Sequence, residues 1–197
     1  QWDEPGALLR NPRIAAVLHD LRLATSKGSG IRALRALGVD PSTENIAEGG
    51  RPIQIAEGAE TFLQMASGLG VQLICYGGLD EDSMRRELGS LGDVFDAYVC
   101  TNDFRPGLRE IVQDIAKVAP DRALFVDDVN FVARHARNLG TAFVGLPART
   151  DWGFQRAAMT EDGVPFMLDH LGQIDAACLD TIDRRAATGA FWTGGAV

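Results

Sequence analysis

The stretch Ala123-Leu-Phe-Val-Asp-Asp-Val-Asn130 decides the fold prediction, because an apolar run ends there in two adjacent carboxylates. The run at residues 123–126 is typical of a buried strand. Ligands of open α/β sheets bind outside the carboxyl ends of the strands, and Mg²⁺ takes carboxylate, phosphate and water oxygens as ligands. The pair Asp127 and Asp128 therefore predicts a metal site. The alternative interpretation is that Asp128 only caps the helix that begins near Asn130.

Helix-like and strand-like segments alternate on both sides of this stretch. The predicted strands span residues 71–76, 95–100, 123–126, 142–146 and 164–168. The predicted helices span residues 57–69, 80–88, 108–118, 131–139, 154–160 and 175–187. Strands that alternate with helices over short loops predict an α/β fold, in which a parallel sheet is covered on both faces as a Rossmann-like three-layer sandwich.

The chain length of 197 residues predicts a single domain that can bury a full core. Within residues 1–197 we expect three parts. These are an N-terminal or cap-like segment at 1–56, the core at 57–170, and a C-terminal helix and tail at 171–197. In the first part, residues 13–18 fit a strand and a helical stripe equally well, so both readings stay open.

The composition bounds the partners and the compartment. The net charge is −8, and no Lys/Arg-rich run is interleaved with aromatic residues, which argues against nucleic acid and anionic membrane surfaces as partners. No stretch is long and apolar enough to span a membrane, and no signal peptide is recognisable. Cys75, Cys100 and Cys178 lie far apart in apolar sequence, which predicts reduced core thiols of a cytoplasmic protein. We expect the protein to be a monomer or a homodimer. The chain begins at Gln1 instead of Met, so it stays open whether residues upstream are missing.

Four groups of residues follow one another between residues 57 and 147. They are Glu57-Gly-Ala-Glu60 with Phe62-Leu63; Gly70-Val-Gln-Leu-Ile-Cys-Tyr-Gly-Gly78; Phe95-Asp96 followed by Arg105-Pro106; and Phe125-Val-Asp-Asp128 with Ala136-Arg-Asn-Leu-Gly140. In this order they resemble the core motifs of the haloacid dehalogenase-like (HAD) superfamily of phosphatases and related hydrolases. The resemblance covers about half of the chain. It implies a Rossmannoid core with no cap, or with a minimal cap formed by residues 25–55.

The first motif of that family supplies an aspartate that attacks phosphorus and a second that protonates the leaving group. Its best counterpart is Ile14-Ala-Ala-Val-Leu-His-Asp20-Leu-Arg-Leu-Ala-Thr25. The resemblance implies that Asp20 is the catalytic nucleophile and a Mg²⁺ ligand. Arg22 stands at the acid/base position and Ala24 at the position of a small hydroxyl residue. Leaving-group protonation therefore lacks a general acid, which is typically worth a factor of about a hundred to ten thousand.

The other motifs imply the rest of the site. Gly77 and Gly78 stand where the second motif binds the phosphate, although the family usually has Ser or Thr at the position of Gly77. Arg105 stands in place of the Lys of the third motif and keeps its positive charge, so it is the expected catalytic phosphate clamp. The fourth motif is intact, which implies that Asp127 and Asp128 hold Mg²⁺ with Asp20.

Three functions follow from this resemblance. The leading one is a Mg²⁺-dependent phosphohydrolase acting on a small phosphorylated metabolite. The alternative is a catalytically impaired HAD-like domain that works as a binding or interaction module, and a dehalogenase is third. A competing resemblance concerns residues 10–21 and the turn at 27–32, which are similar to a segment of bacterial RecG-like, AlbA-type ATPase regulators. In that case Asp20 lies on a helix and has no catalytic role.

Overall fold

A computed structural model of the chain describes residues 55–78, 80–147 and 154–193. The predicted segment at residues 13–18, the expected nucleophile Asp20 and all but the last residue of the predicted cap at 25–55 lie outside these ranges. The described part is a mixed α/β structure, as predicted.

Five strands alternate with helices in the described residues. The strands are β1 (Ile74–Gly77), β2 (Ala97–Cys100), β3 (Leu124–Asp127), β4 (Ala142–Gly145) and β5 (Phe166–Met167). The α-helices are α1 (Ala59–Gly68), α2 (Glu81–Leu88), α3 (Leu108–Glu110), α4 (Asn130–Leu139), α5 (Gln155–Glu161) and α6 (Ala176–Ala187). The remaining helical turns are the 3₁₀ segments Gly89–Val94, Pro120–Arg122 and Leu171–Gln173, and the π-helix Ile111–Ala116, which continues α3.

The helix ends follow from local sequence. Asp80 is the N-cap residue of α2, and its side chain accepts a bond from the Ser83 N–H at 2.9 Å. The Asp175 side chain caps α6 in the same way. Helix α4 ends at Gly140, whose φ of 81° is a conformation that glycine adopts without steric penalty.

All strand pairs of the described residues are parallel, but they form two groups. Strand β1 pairs with β2, and β4 pairs with both β3 and β5. The carbonyls of Leu73 and Gly77 accept bonds from the segment of β2, at 2.8 Å each. Because alternate residues of a strand bond to opposite sides, Ile74 and Tyr76 direct their backbone groups to the other edge of β1. No described strand pairs with that edge, so the predicted single sheet is seen only as these two groups.

The core centres on β4, whose four residues are all buried between β3 and β5. A strand with neighbours on both edges and cover on both faces is apolar along its whole length. This explains why apolar and polar residues do not alternate at residues 142–146. The largest fully buried side chains include Phe143, Met159 and Ile174. Trp192 packs at the margin of this core and donates its indole N–H to the Thr141 carbonyl at 2.8 Å.

The three cysteines are free, as predicted, but they do not all belong to the core. Cys75 and Cys178 are half-buried, whereas Cys100 is exposed at the end of β2. The apolar context of Cys100 was a misleading sign, because the last residue of a short strand can face solvent. Among the described helices, none has the length and apolar character needed to span a bilayer.

Candidate functional site

The loops that follow β1 and β2 are tied together at the carboxyl ends of the two strands. The Thr101 N–H and hydroxyl both donate to the Gly77 carbonyl, at 2.8 and 3.1 Å. The Asn102 amide donates to the Gly78 carbonyl at 2.6 Å. These bonds fix the position of the segment after β1, although Gly77 and Gly78 have no side chains that could hold it.

Arg105 lies against this segment. Its guanidinium donates through Nη2 to the Asn102 side-chain oxygen, and the arginine side chain is otherwise exposed. A Cβ atom built on Gly78 would collide with Nη2 of Arg105. Gly78 therefore permits the close approach of the arginine. The structure thus brings together three predicted site residues, Gly77, Gly78 and Arg105.

The acid pair lies at the end of β3. The Asp127 carboxylate accepts a bond from the Val129 N–H at 2.8 Å through Oδ1. Its Oδ2 accepts a bond from the Tyr76 hydroxyl at 2.6 Å. Asp128 is exposed. The interpretation that Asp128 caps the following helix is wrong, because α4 has Val129 at its N-cap position and no side-chain capping bond.

Tyr76 is the residue that the sequence analysis missed. It lies on β1 directly before Gly77, and its ring packs edge-on against Phe125 of β3, with centroids 5.6 Å apart. With its hydroxyl on Asp127, it joins the carboxyl ends of β1 and β3. The only sign in the sequence was a tyrosine, with its polar tip, in an apolar strand beside the motif glycines.

Burial is the main cause of the pKa shifts of Asp127 and Tyr76. Burial raises the pKa of the Asp127 carboxyl, and the charge of Asp128 adds to this, while the bonds from Tyr76 and from the Val129 N–H act in the opposite direction. Burial also raises the pKa of the Tyr76 hydroxyl, reinforced by the charge of Asp127. Tyr76 is therefore protonated at neutral pH and acts as the donor of the bond.

The described donor set fits Mg²⁺ only as a partial site. Among the described residues, no three His, Cys, Asp or Glu side chains cluster as a metal cage. Mg²⁺ is nevertheless often held by only one or two carboxylates of a protein, while water and substrate phosphate complete its coordination shell. Asp127 and Asp128 are two adjacent carboxylates. Asp20, the third expected ligand, lies outside the described residues.

A groove of about 320 Å³ lies elsewhere on the described surface. Its lining comprises Ala133, Arg134, Arg137, Asn138, Asp162, Val164 and Trp192. None of the predicted site residues belongs to it. Its two arginines bond to Asp162 of the same groove, which identifies them first as structural partners.

Comparison of the sequence with protein families and curated proteins assigns no family to the chain. No protein-family model matches the sequence, and no curated protein is significantly similar to it.

Proposed function

We propose that the chain is an HAD-like, Mg²⁺-dependent phosphohydrolase that acts on a small phosphorylated molecule. The observation that carries the proposal is the bond from Tyr76 to Asp127. Since Tyr76 is followed directly by Gly77, this bond brings the acid pair of β3 to the segment that packs against Arg105. The acid pair at the end of β3 would supply negative groups for a cation, and Arg105 beside the segment after β1 would supply a positive group for a phosphate.

The proposed fold is the HAD-like three-layer sandwich. It is supported by the parallel groups β2–β1 and β3–β4–β5 and by the helices between their strands. One further parallel strand between the free edges of β1 and β3 would join the groups into one sheet. The carboxyl ends of all strands would then lie on one side, which is where open α/β sheets bind ligands.

Each residue has a role that its chemistry supports. Arg105 is exposed, and its positive guanidinium would stabilise the negative charge of a phosphoryl group. Asp127 and Asp128 would hold Mg²⁺, which when bound polarises a phosphoryl oxygen. Gly77 and Gly78 carry no side chains that would obstruct a phosphate near the backbone. Asp20 is the proposed nucleophile.

A second candidate is a domain that binds the phosphorylated molecule without turnover. Two features of the sequence favour it. Gly77 offers no hydroxyl to the phosphate, and Arg22 stands at the acid/base position. Together they favour binding over efficient hydrolysis, except for leaving groups such as acetate or nitrophenolate that need no proton.

The test is hydrolysis of acetyl phosphate and para-nitrophenyl phosphate, with and without Mg²⁺, by the parent chain and its Asp127→Asn and Asp20→Asn variants. We expect Mg²⁺-dependent hydrolysis in the parent and a loss of at least about a hundredfold in both variants, because nucleophile and ion are both removed from the reaction. The matched control is Asp180→Asn, which removes an exposed acid that pairs with Arg184 in its own helix.

Absence of hydrolysis in a folded parent would reject the enzyme. Binding of acetyl phosphate would then be measured by calorimetry. Binding that requires Mg²⁺ and is lost in Arg105→Ala would establish the second candidate. Hydrolysis that survives both aspartate substitutions would reject the assigned site.

A further inference from the structure

The Asp127 carboxylate is oriented by two donors, one on each oxygen. The Val129 N–H, only two residues away, binds Oδ1 at 2.8 Å, and the Tyr76 hydroxyl binds Oδ2 at 2.6 Å. A carboxylate has about four acceptor positions, so each oxygen keeps one free. The two bonds therefore fix the plane of the carboxylate and still leave acceptor capacity for a cation.

The Tyr76 hydroxyl comes from a different strand, and its side chain is held in place. Its ring packs on Phe125, which is only 4% exposed, and its backbone lies in the β1–β2 pair opposite Val99. The distance of 2.6 Å is in the range of hydrogen bonds between a hydroxyl and a charged oxygen, which are stronger than neutral ones. Tyr76 is thus the long-range constraint on Asp127, and Val129 is the local one.

We infer that Tyr76 is the positioning residue of the Mg²⁺ site, holding Asp127 in the orientation in which it meets the ion. The inference rests on the proposed function and deepens it. Carboxylates that ligate metals are themselves hydrogen-bonded, and loss of such a partner typically lowers metal affinity by about 10- to 100-fold. Tyr76 does not touch the ion or the substrate in this role.

The test is Mn²⁺ binding, measured by the electron paramagnetic resonance signal of the free ion, in the parent and in Tyr76→Phe. The phenylalanine keeps the ring that packs on Phe125 and removes only the hydroxyl. We expect the Mn²⁺ dissociation constant to rise by about 10- to 100-fold. The chain supplies a matched control, because its other tyrosine, Tyr98, donates to the Gly92 carbonyl at 2.5 Å. Tyr98→Phe should bind Mn²⁺ like the parent.

The outcomes separate the two proposals. If the parent binds Mn²⁺ and Tyr76→Phe binds it equally well, the positioning role is overturned and the proposed function stands. If the parent does not bind Mn²⁺, the proposed metal site fails and the inference fails with it. An equal loss in Tyr98→Phe would also overturn the inference, because a general weakening of the fold would then explain the effect.

A second measurement applies if Tyr76→Phe does not fold, as judged by circular dichroism. In the Tyr98→Phe variant, Tyr76 is the only remaining tyrosine. Mg²⁺ added to this variant should change the tyrosine ultraviolet absorption, because the ion would bind the carboxylate that accepts the phenol bond. An unchanged tyrosine spectrum at saturating Mg²⁺ would overturn the inference.

Discussion

The Asp127 carboxylate accepts two hydrogen bonds, yet burial makes its charged form energetically costly. Its two hydrogen bonds favour the charged form, but burial opposes that form more strongly, so the pKa is raised. A residue selected only for stability would more easily be an amide, which accepts and donates bonds without charge. The penalty is understandable if the carboxylate is kept for binding a cation.

This penalty predicts a pH-dependent effect of Asp127→Asn on the free energy of unfolding. The unfolded Asp titrates near pH 3.9, whereas the folded group titrates higher, so the folded parent binds more protons between the two values and loses stability as pH rises through that interval. Asparagine lacks this loss. In EDTA we therefore expect Asp127→Asn to gain stability relative to the parent as the pH rises from acidic to neutral.

Urea unfolding at both ends of this pH range measures that gain. The control is Asp180→Asn, because Asp180 is an exposed acid of α6 that pairs with Arg184 of the same helix. A difference between Asp127→Asn and the parent that is constant with pH, or that shrinks as pH rises, would contradict the prediction.

At the scale of elements, Asp162 joins α4 to α5. It directly follows α5, and its carboxylate accepts bonds from the Asn130 amide at 2.5 Å and from Arg134 Nε at 2.6 Å. Its carbonyl accepts a further bond, from Arg137 at 3.0 Å. The bond from Arg134 is the main cause that lowers the Asp162 pKa. Three residues of one helix thus converge on the end of the next.

We expect Asp162→Ala to lower the free energy of unfolding by about 1–3 kcal/mol at neutral pH, since it leaves the buried Asn130 amide without this acceptor. The lowered pKa means that the stabilisation is present above the unfolded pKa and is lost as pH falls through the folded one, so the effect should shrink in acid. Chemical denaturation measures it. Asp180→Ala is the control, and an equal loss in that variant would contradict the assigned role.

Element positions were largely predictable from sequence, because periodicity and capping residues are local signals. Asp80, Gly140 and Asp175 mark helix ends in the sequence and in the structure. Two details were not local. Residues 108–118 show helical periodicity, but most of this helix is the π-helix Ile111–Ala116, whose i→i+5 bonds form a wider turn than those of an α-helix. The last strand is limited to Phe166–Met167 by its pairing with β4.

The candidate site was predictable only where motifs mark it. The acid pair and the Gly77–Arg105 region stood out because residue type and strand position coincide. Tyr76 did not, because its role depends on the approach of β1 to Phe125 and Asp127, which belong to a strand about fifty residues away. A side chain that crosses between strands leaves no periodic trace in the sequence.

At the scale of the whole molecule, β4 should be the most stable of the described strands. It has a neighbour on each edge, and all four residues are buried, whereas β1 has only half-buried residues and β2 ends at exposed Cys100. Hydrogen exchange is slowest where local opening requires unfolding of the core. We expect the amides of β4 to exchange slowest and those of β2 to exchange faster. Exchange measured by mass spectrometry or NMR tests this, and equal protection of both strands would contradict it.

The pairing order also has a consequence for folding kinetics. Strands β1 and β2, and likewise β3, β4 and β5, pair with their neighbours along the chain, so each group can form from contacts of short sequence separation. The Tyr76–Asp127 bond, by contrast, joins residues 51 positions apart and belongs to neither group. We therefore expect the carboxyl ends of β1 and β3, where the candidate site lies, to come together after each group of strands has formed.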